Sequence, residues 1–310
     1  MPHRDLRRQW PALYHVKTRR LFIITQHSTQ VYSRHGNKFH LRSGTRRIPR
    51  MARPATVRDS NNGWILDGHH FRTYYPAKSI PPESFLDHLQ SLEPWEAVLF
   101  HTVEMSECPF TIVDLLTNNT FLGVSDGSVR FQREGAFGWV ISLSTGRRLV
   151  RCAGPVFGFK PTSYRAEAYG LLSMLRYLVQ LALYCGVPNL GGCSLFSDNL
   201  ALVNITKAFK PHIQTSPNAT LASDWDVINE IHHNLYHNVP PFKQTIAHVK
   251  GHQDKTVEYE KLPLAAQLNV DADHMAGQFQ DEHGREHPFV YRFPHNRAQL
   301  NLPGGTITYN

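Results

Sequence analysis

From about residue 116 the hydrophobic positions fall into short runs and longer periodic stretches, broken by turn residues. TFLGVSDGS reads as a strand running into a turn, and AFGWVISLS as a second strand after the Gly-containing connection QREG. Thr145-Gly146 marks a hairpin turn before a third strand in LVRCAGPVFG. Pro161 and Thr162/Ser163 then open a long apolar helix over residues 163–184, with Gly186 as its stop. GCSLFSD is a fourth strand, NLALVNITKAF and DWDVINEIHHNLY are two further helices, FKQTIAHVKG is a fifth strand and LNVDADHMAGQFQ a last helix. Three hairpin-linked strands followed by alternating helices and strands predict an α/β fold, with a five-stranded mixed sheet that is antiparallel on one side and parallel on the other.

Upstream the pattern is looser. ESFLDHLQSL has helical spacing and EAVLFHTV has strand character, with Pro81, Pro82 and Pro94 as breaks, so residues 61–115 are expected to form a small subdomain or packing extension. Residues 1–60 hold one compact apolar stretch, LFIIT, among Arg, His and Ser, and are expected to be a basic, partly disordered arm. That leaves residues 116–285 as the catalytic domain and 286–310 as a C-terminal tail.

Charge sharpens this division. The chain carries a net +8, yet residues 1–60 hold 14 Lys/Arg against 2 Asp/Glu, and the remainder holds 19 against 23. A basic arm beside an acidic body suggests a polyanionic partner, and Arg46 and Arg47 in TRRIPRMAR are candidates for phosphate contacts. The four cysteines form no CxxC pair, which fits thiols in a reducing compartment, the nucleus or the cytoplasm. No run approaches the roughly 18 consecutive apolar residues of a membrane span, so no membrane partner is expected.

Four acids stand in distinctive settings: Asp126 at the end of an apolar run, Glu167 in the first turn of the long helix, Asp198 after the fourth strand, and Asp273 at the start of the last helix. Strands bearing Asp126 and Asp198 side by side would bring both carboxylates to one sheet edge, where ligand sites of open α/β sheets form. Carboxylates gathered in a low-dielectric cleft repel one another unless cations neutralise them. Two Mg²⁺ ions, with Mn²⁺ as a substitute, would satisfy that charge and suit in-line phosphoryl displacement. Each acid by itself has an ordinary explanation as a turn residue, a helix-end acid or a cap, and only the four together point to a metal site.

The motifs SDGS, RAEAYGLL, FSDN, HVKGHQD and N-x-x-A-D-x-x-A occur in the order of type 1 ribonuclease H, and over roughly residues 121–280 the chain resembles that family in its retroelement, reverse-transcriptase-associated form. The resemblance implies a ribonuclease H-like fold with sheet order 3-2-1-4-5 and helices on both faces. It implies cleavage of the RNA strand of RNA–DNA hybrids, with a reverse transcriptase or other retroelement protein as a further partner. Asp126, Glu167, Asp198 and Asp273 would be the metal ligands and His252 a mobile group assisting proton transfer or product release. Gly127, Ser128, Asn199 and Asn269 would line the hybrid groove. No Arg/Lys-rich helical protrusion is obvious in the catalytic half, and Lys207, Lys210 and the N-terminal arm would stand in for it. Twenty residues separate His252 from Asp273, more than the family usually shows, and Asp271 competes for the same ligand role. Two alternatives stay open: another nuclease of the same fold, of integrase or resolvase type, and a hybrid-binding module without turnover. His233 and His237 share a helical face with Glu230 and are read as an exposed face in preference to a zinc site. Trp225, Phe137 and Trp139 are read as core.

Overall fold

The structure, a computed structural model, describes residues 84–187, 190–208, 223–236, 244–295 and 303–306 in full, together with the backbone of residues 301–302 and of strands between residues 10 and 76. The chain divides into two compact units, Met1–Pro82 and Glu83–Asn310.

The first unit contains seven strands: β1 (Trp10–His15), β2 (Arg20–Ile24), β3 (Thr29–His35), β4 (Lys38–Arg42), β5 (Arg53–Ser60), β6 (Gly63–Gly68) and β7 (Phe71–Pro76). They form one antiparallel sheet of order β4-β3-β2-β1-β5-β6-β7. The first five of these strands run through residues 10–60, where a basic, partly disordered arm was expected. Alternating segments such as KFHLR and TQVYSRH are strands whose period is masked by their many Arg and His residues. Arg46 and Arg47 lie outside the described residues.

In the second unit the helices α1 (Phe85–Gln90), α2 (Pro94–Ala97) and α3 (Pro109–Asn118) and the two-residue strand β8 (Glu104–Met105) precede the main sheet. Phe85, Leu89, Trp95, Leu99 and Ile112 from this segment are buried in the same core as the main sheet, so of the expected 61–115 extension the part from residue 84 packs on that sheet, while β6 and β7 belong to the first unit. EAVLFHTV is not the strand its β-branched and aromatic residues suggest. Pro94 sits at a helix N-terminus, and the chain turns through α2 and a short 3₁₀ turn at Val98–Phe100 that buries Trp95, Leu99 and Phe100.

The sheet strands are β9 (Phe121–Arg130), β10 (Glu134–Leu143), β11 (Arg148–Val156), β12 (Cys193–Ser197) and β13 (Gln244–His248). Their order, β13-β12-β9-β10-β11-β8, contains the expected 3-2-1-4-5 arrangement and adds β8 as a sixth strand. Met105 and Glu104 pair with Val150 and Arg151, covering backbone that would otherwise be a bare edge. β9, β10 and β11 pair antiparallel, while β12 pairs parallel with both β9 and β13. The fold is therefore the mixed α/β, ribonuclease H-like arrangement.

Helix α4 (Ser163–Cys185) starts where the Thr162 hydroxyl accepts from the Arg165 N–H and ends at Gly186, whose φ of 70° is the left-handed cap. By length and apolarity alone it would suit a membrane span, but 83% of that stretch is buried inside the unit. It packs on β9 and β10 and against α5 (Leu200–Ala208) and α6 (Trp225–Tyr236). Phe137 and Trp139 lie in this core, and the Trp139 indole N–H donates to the Ser173 hydroxyl. The opposite face of the sheet is covered by α7 (Leu264–His283). Gly138 makes this packing close, because a Cβ there would overlap the backbone of Ala272. The C-terminal segment folds onto the unit as well: Phe293 is buried against Trp95, Gly158 N–H donates to the His287 carbonyl, and β14 (Asn301–Leu302) pairs with β15 (Gly305–Thr306).

Candidate metal-binding active site

The parallel register of β9 and β12 pairs Ser125 with Ser197. Asp126 and Asp198 therefore follow side by side where β12 ends. Strand alternation turns Gly127 towards α4, where it lies against the backbone of Ala166 and Glu167, too close for any side chain. Glu167 is the fifth residue of α4, one turn deeper than the first-turn position expected of it, and it reaches the same edge from the helix side. One potential ligand atom from each of Asp126, Glu167 and Asp198 lies within 4.8 Å of the other two.

These carboxylates are held before any ligand arrives. The Gly127 N–H donates to Asp126 Oδ1 (2.6 Å) and to Glu167 Oε1 (3.1 Å), bridging the two acids. Ser197 Oγ donates to Glu167 Oε2 (3.0 Å), and Asn269 Nδ2 donates to Asp126 Oδ2 (3.0 Å). Asp126 is 5% exposed and Glu167 3%. Burial, then the charges of Asp198 and Asp273, push the Asp126 carboxyl up to about 7. Burial, then Asp126 and Asp198, push Glu167 well above the carboxylate range. An all-oxygen, mutually repelling set of this kind fits a hard divalent cation.

Asp273 is placed differently from the expectation. Pro263 sets the start of α7 at Leu264, so Asp273 lies in the middle of the helix. It stands at the rim, outside the tight triad, with its Oδ2 3.9 Å from His252 Nδ1; both side chains are about half exposed. His252 itself has a left-handed backbone, φ 52°. Asp271 does not compete, because Arg148 Nε (3.1 Å) and the Tyr259 hydroxyl (2.6 Å) donate to its carboxylate. The VKGH loop reaches the site directly: Gly251 lies against the Asp198 carboxylate, and His248 Nε2 is 3.0 Å from the Asp198 carbonyl.

The residues expected to line a groove divide into several groups. Asn269 is 2% exposed and supports Asp126 from below, so its amide belongs to the carboxylate and is closed to a nucleic-acid strand. Asn199 is half-buried and caps α5 by accepting from the Leu202 N–H (3.1 Å). Ser128 is half-buried and pairs with Gln280 of α7. Lys207 is exposed in the last turn of α5, nine residues and about 13 Å along the chain from Asp198. Lys210 lies outside the described residues, as does His237. Glu230 is buried and bonded to His295 Nδ1 (2.8 Å), while His233 stacks on His295, so this face is packed by the C-terminal segment and is not exposed.

Two supports were not anticipated. Ser197 is recognisable in retrospect as the inward residue before Asp198. Arg165, fully buried two residues before Glu167, donates to Asp224 (3.2 Å) and Asp226 (2.7 Å) and fixes the start of α4 to α6.

No family model matches the chain, and no curated protein matches its sequence. Among solved structures it is similar to ribonuclease H1 of the halophilic archaeon Halobacterium salinarum NRC-1, at 18% identity over 53% of this chain and 99% of that one, TM-score 0.34. It is also similar to LC11 ribonuclease H1 in complex with an RNA/DNA hybrid (16% identity, 53% and 99% covered, TM-score 0.37) and to the ribonuclease H domain of PFV (16%, 51% and 92%, TM-score 0.32).

Proposed function

We propose that the chain is a divalent-metal-dependent endonuclease that hydrolyses the RNA strand of RNA–DNA hybrids. The observation that carries this reading is the gathering of Asp126, Glu167 and Asp198 at one sheet edge, with Asp126 and Glu167 buried, repelling and pre-oriented and Asp198 half-buried beside them. A buried group of acids is costly without counter-charge, and a strand end supplies rigid support for one. The motif order SDGS, RAEAYGLL, FSDN and VKGH favours ribonuclease H chemistry over integrase-type or resolvase-type nucleases.

Asp126, Glu167 and Asp198, with Asp273 at the rim, would hold Mg²⁺ or Mn²⁺ as a pair of ions. Bound there, such ions supply Lewis acidity towards phosphate oxygens and make water a competent nucleophile at neutral pH. The chain's own groups do the positioning. The Gly127 N–H locks Asp126 and Glu167 in one mutual orientation, and Ser197 and Asn269 each occupy one further carboxylate oxygen. His252, exposed and beside Asp273, would pass a proton at the departing oxygen or help product leave. Gly127, Ser128 and Asn199, each half-buried, border the acids and would be where 2′-hydroxyls of the RNA strand are read. The reading extends to a retroelement origin, a reverse transcriptase or related protein as partner, and an intracellular setting. Its support there is the motif set and the basic composition of residues 1–60.

The test is cleavage of matched hybrid, duplex DNA, duplex RNA and single strands by the full chain, in Mg²⁺, in Mn²⁺ and in EDTA. Metal-dependent cutting confined to the RNA of the hybrid is expected. Equal cutting of duplex DNA would transfer the site to another nuclease class, and tight hybrid binding without turnover in either metal would leave a binding module.

A further inference from the structure

The turn between β9 and β10 is built against its residues' preferences. Phe131 (φ 53°) and Gln132 (φ 54°) both adopt the left-handed region at the centre of an Arg130–Arg133 turn closed by the Arg133 N–H to Arg130 carbonyl bond. Hairpins take this geometry with Asn, Asp or Gly; a bulky aromatic there is strained. The strain is not relieved by packing, since Phe131 is 83% exposed.

The base of the hairpin, by contrast, is fixed. Gln280 of α7 donates to the carbonyls of Ser128 (3.0 Å) and Glu134 (2.8 Å), one on each strand. Arg130 is ion-paired with Asp281, and Arg133 with Glu286 (3.3 Å). A rigid stem thus holds a single aromatic ring in solvent. Arg133, two residues on, also lines a cavity of about 290 Å³ together with Lys160 and Glu286. Strand β9 runs without a break from Asp126 to Arg130, so the ring stands five residues, about 16 Å, along the strand from the acids. That distance corresponds to roughly four to six base-pair steps of a duplex.

We propose that Phe131 is an apolar wedge that presses into the minor groove of the duplex held at the acidic site, a few steps from the cut. An exposed apolar side chain on a stiff tip is the arrangement by which minor-groove proteins part neighbouring bases. The inference rests on the nucleic-acid reading of the acidic site and adds where along the duplex the protein grips it.

The experiment uses the full chain in an Asp198→Asn background with Ca²⁺, and hybrids carrying 2-aminopurine at successive positions of the DNA strand. Fluorescence should rise at one step, about four to six from the scissile position. Phe131→Gly should abolish the rise and weaken hybrid affinity about tenfold. Phe131→Leu should retain most of both. In the otherwise native chain, Phe131→Gly should not lower Tm, because Gly relieves the turn. If the native chain cuts hybrids but Phe131→Gly leaves affinity and fluorescence unchanged, the wedge is wrong and the function stands. If the native chain neither binds nor cuts hybrids, both fall.

Discussion

Asp126→Asn separates what this acid costs the fold from what it contributes to chemistry. In the folded chain the carboxyl is pushed up to about 7, by burial first and then by Asp198 and Asp273, against 3.8 for the free group. The gap of about 3 units corresponds to roughly 4 kcal/mol at 1.36 kcal/mol per unit. Part of that belongs to the shared titration with Glu167, so about 2–4 kcal/mol is the working figure. Because the folded value is the raised one, the proton stays on the folded chain between about pH 4 and 7 while the unfolded chain releases it. Stability is whole below about pH 4, declines as pH rises to about 7, and carries the full penalty above that. Asn removes the penalty and fits the site. It keeps an oxygen for the Gly127 N–H, and Asn269 Oδ1, buried without a hydrogen-bond partner, can accept from the new amide once Asn269 turns. For a unit the size of Glu83–Asn310, the variant should melt roughly 5–10 °C higher than the native chain at pH 8 in EDTA, and the gain should vanish near pH 4. Mg²⁺ should raise the native Tm and not the variant's, while hybrid cleavage by the variant is lost. Scanning calorimetry at the two pH values decides the matter. An Asn variant that is less stable at pH 8, or shifted equally at both pH values, would refute the picture of a repelling, desolvated cluster.

Gly127→Ala places a Cβ into the backbone of Ala166 and Glu167. It should cost about 1–3 kcal/mol in denaturant melts and lower kcat about 100-fold by displacing Glu167. Asn269→Ala removes the donor to Asp126 Oδ2; kcat should fall about tenfold or more with hybrid Kd unchanged, a split read from single-turnover and binding assays. Arg165→Met strands Asp224, which is buried, and should destabilise by about 3–5 kcal/mol in urea titrations, with much of the loss recovered by adding Asp224→Asn and Asp226→Asn.

The sheet was legible because its signals are local. Thr145-Gly146, Thr162 and Gly186 sit at the turn, N-cap and C-cap that their chemistry demands, and the observed α4 differs from the expected helix by a single residue at its C-terminal end. Tertiary context erased the signal elsewhere. EAVLFHTV has strand-like residues, yet Trp95, Leu99 and Phe100 reach the core only from a helical turn, and buried Glu96 meets Arg176 of α4, 80 residues away in the chain. The Phe131 turn carries no Gly or Asn at its left-handed positions, so nothing in RFQR marks its geometry; QREG marked only that a connection was there.

At the site, the legible acids are those whose position follows from strand register. Once β9 and β12 are parallel and paired at Ser125 and Ser197, Asp126 and Asp198 have no other place to be. Asp273 depends instead on where α7 begins, and Pro263 moved that point earlier than the apolar pattern suggested. The same helix explains Asn269. It lies four residues before Asp273, one turn away on the same face, so a helix that holds Asp273 at the rim carries Asn269 beneath it, towards the sheet. A residue there cannot also line an open groove. Its spacing therefore argues for a support role before any contact is measured, and the bond to Asp126 Oδ2 is what that spacing requires.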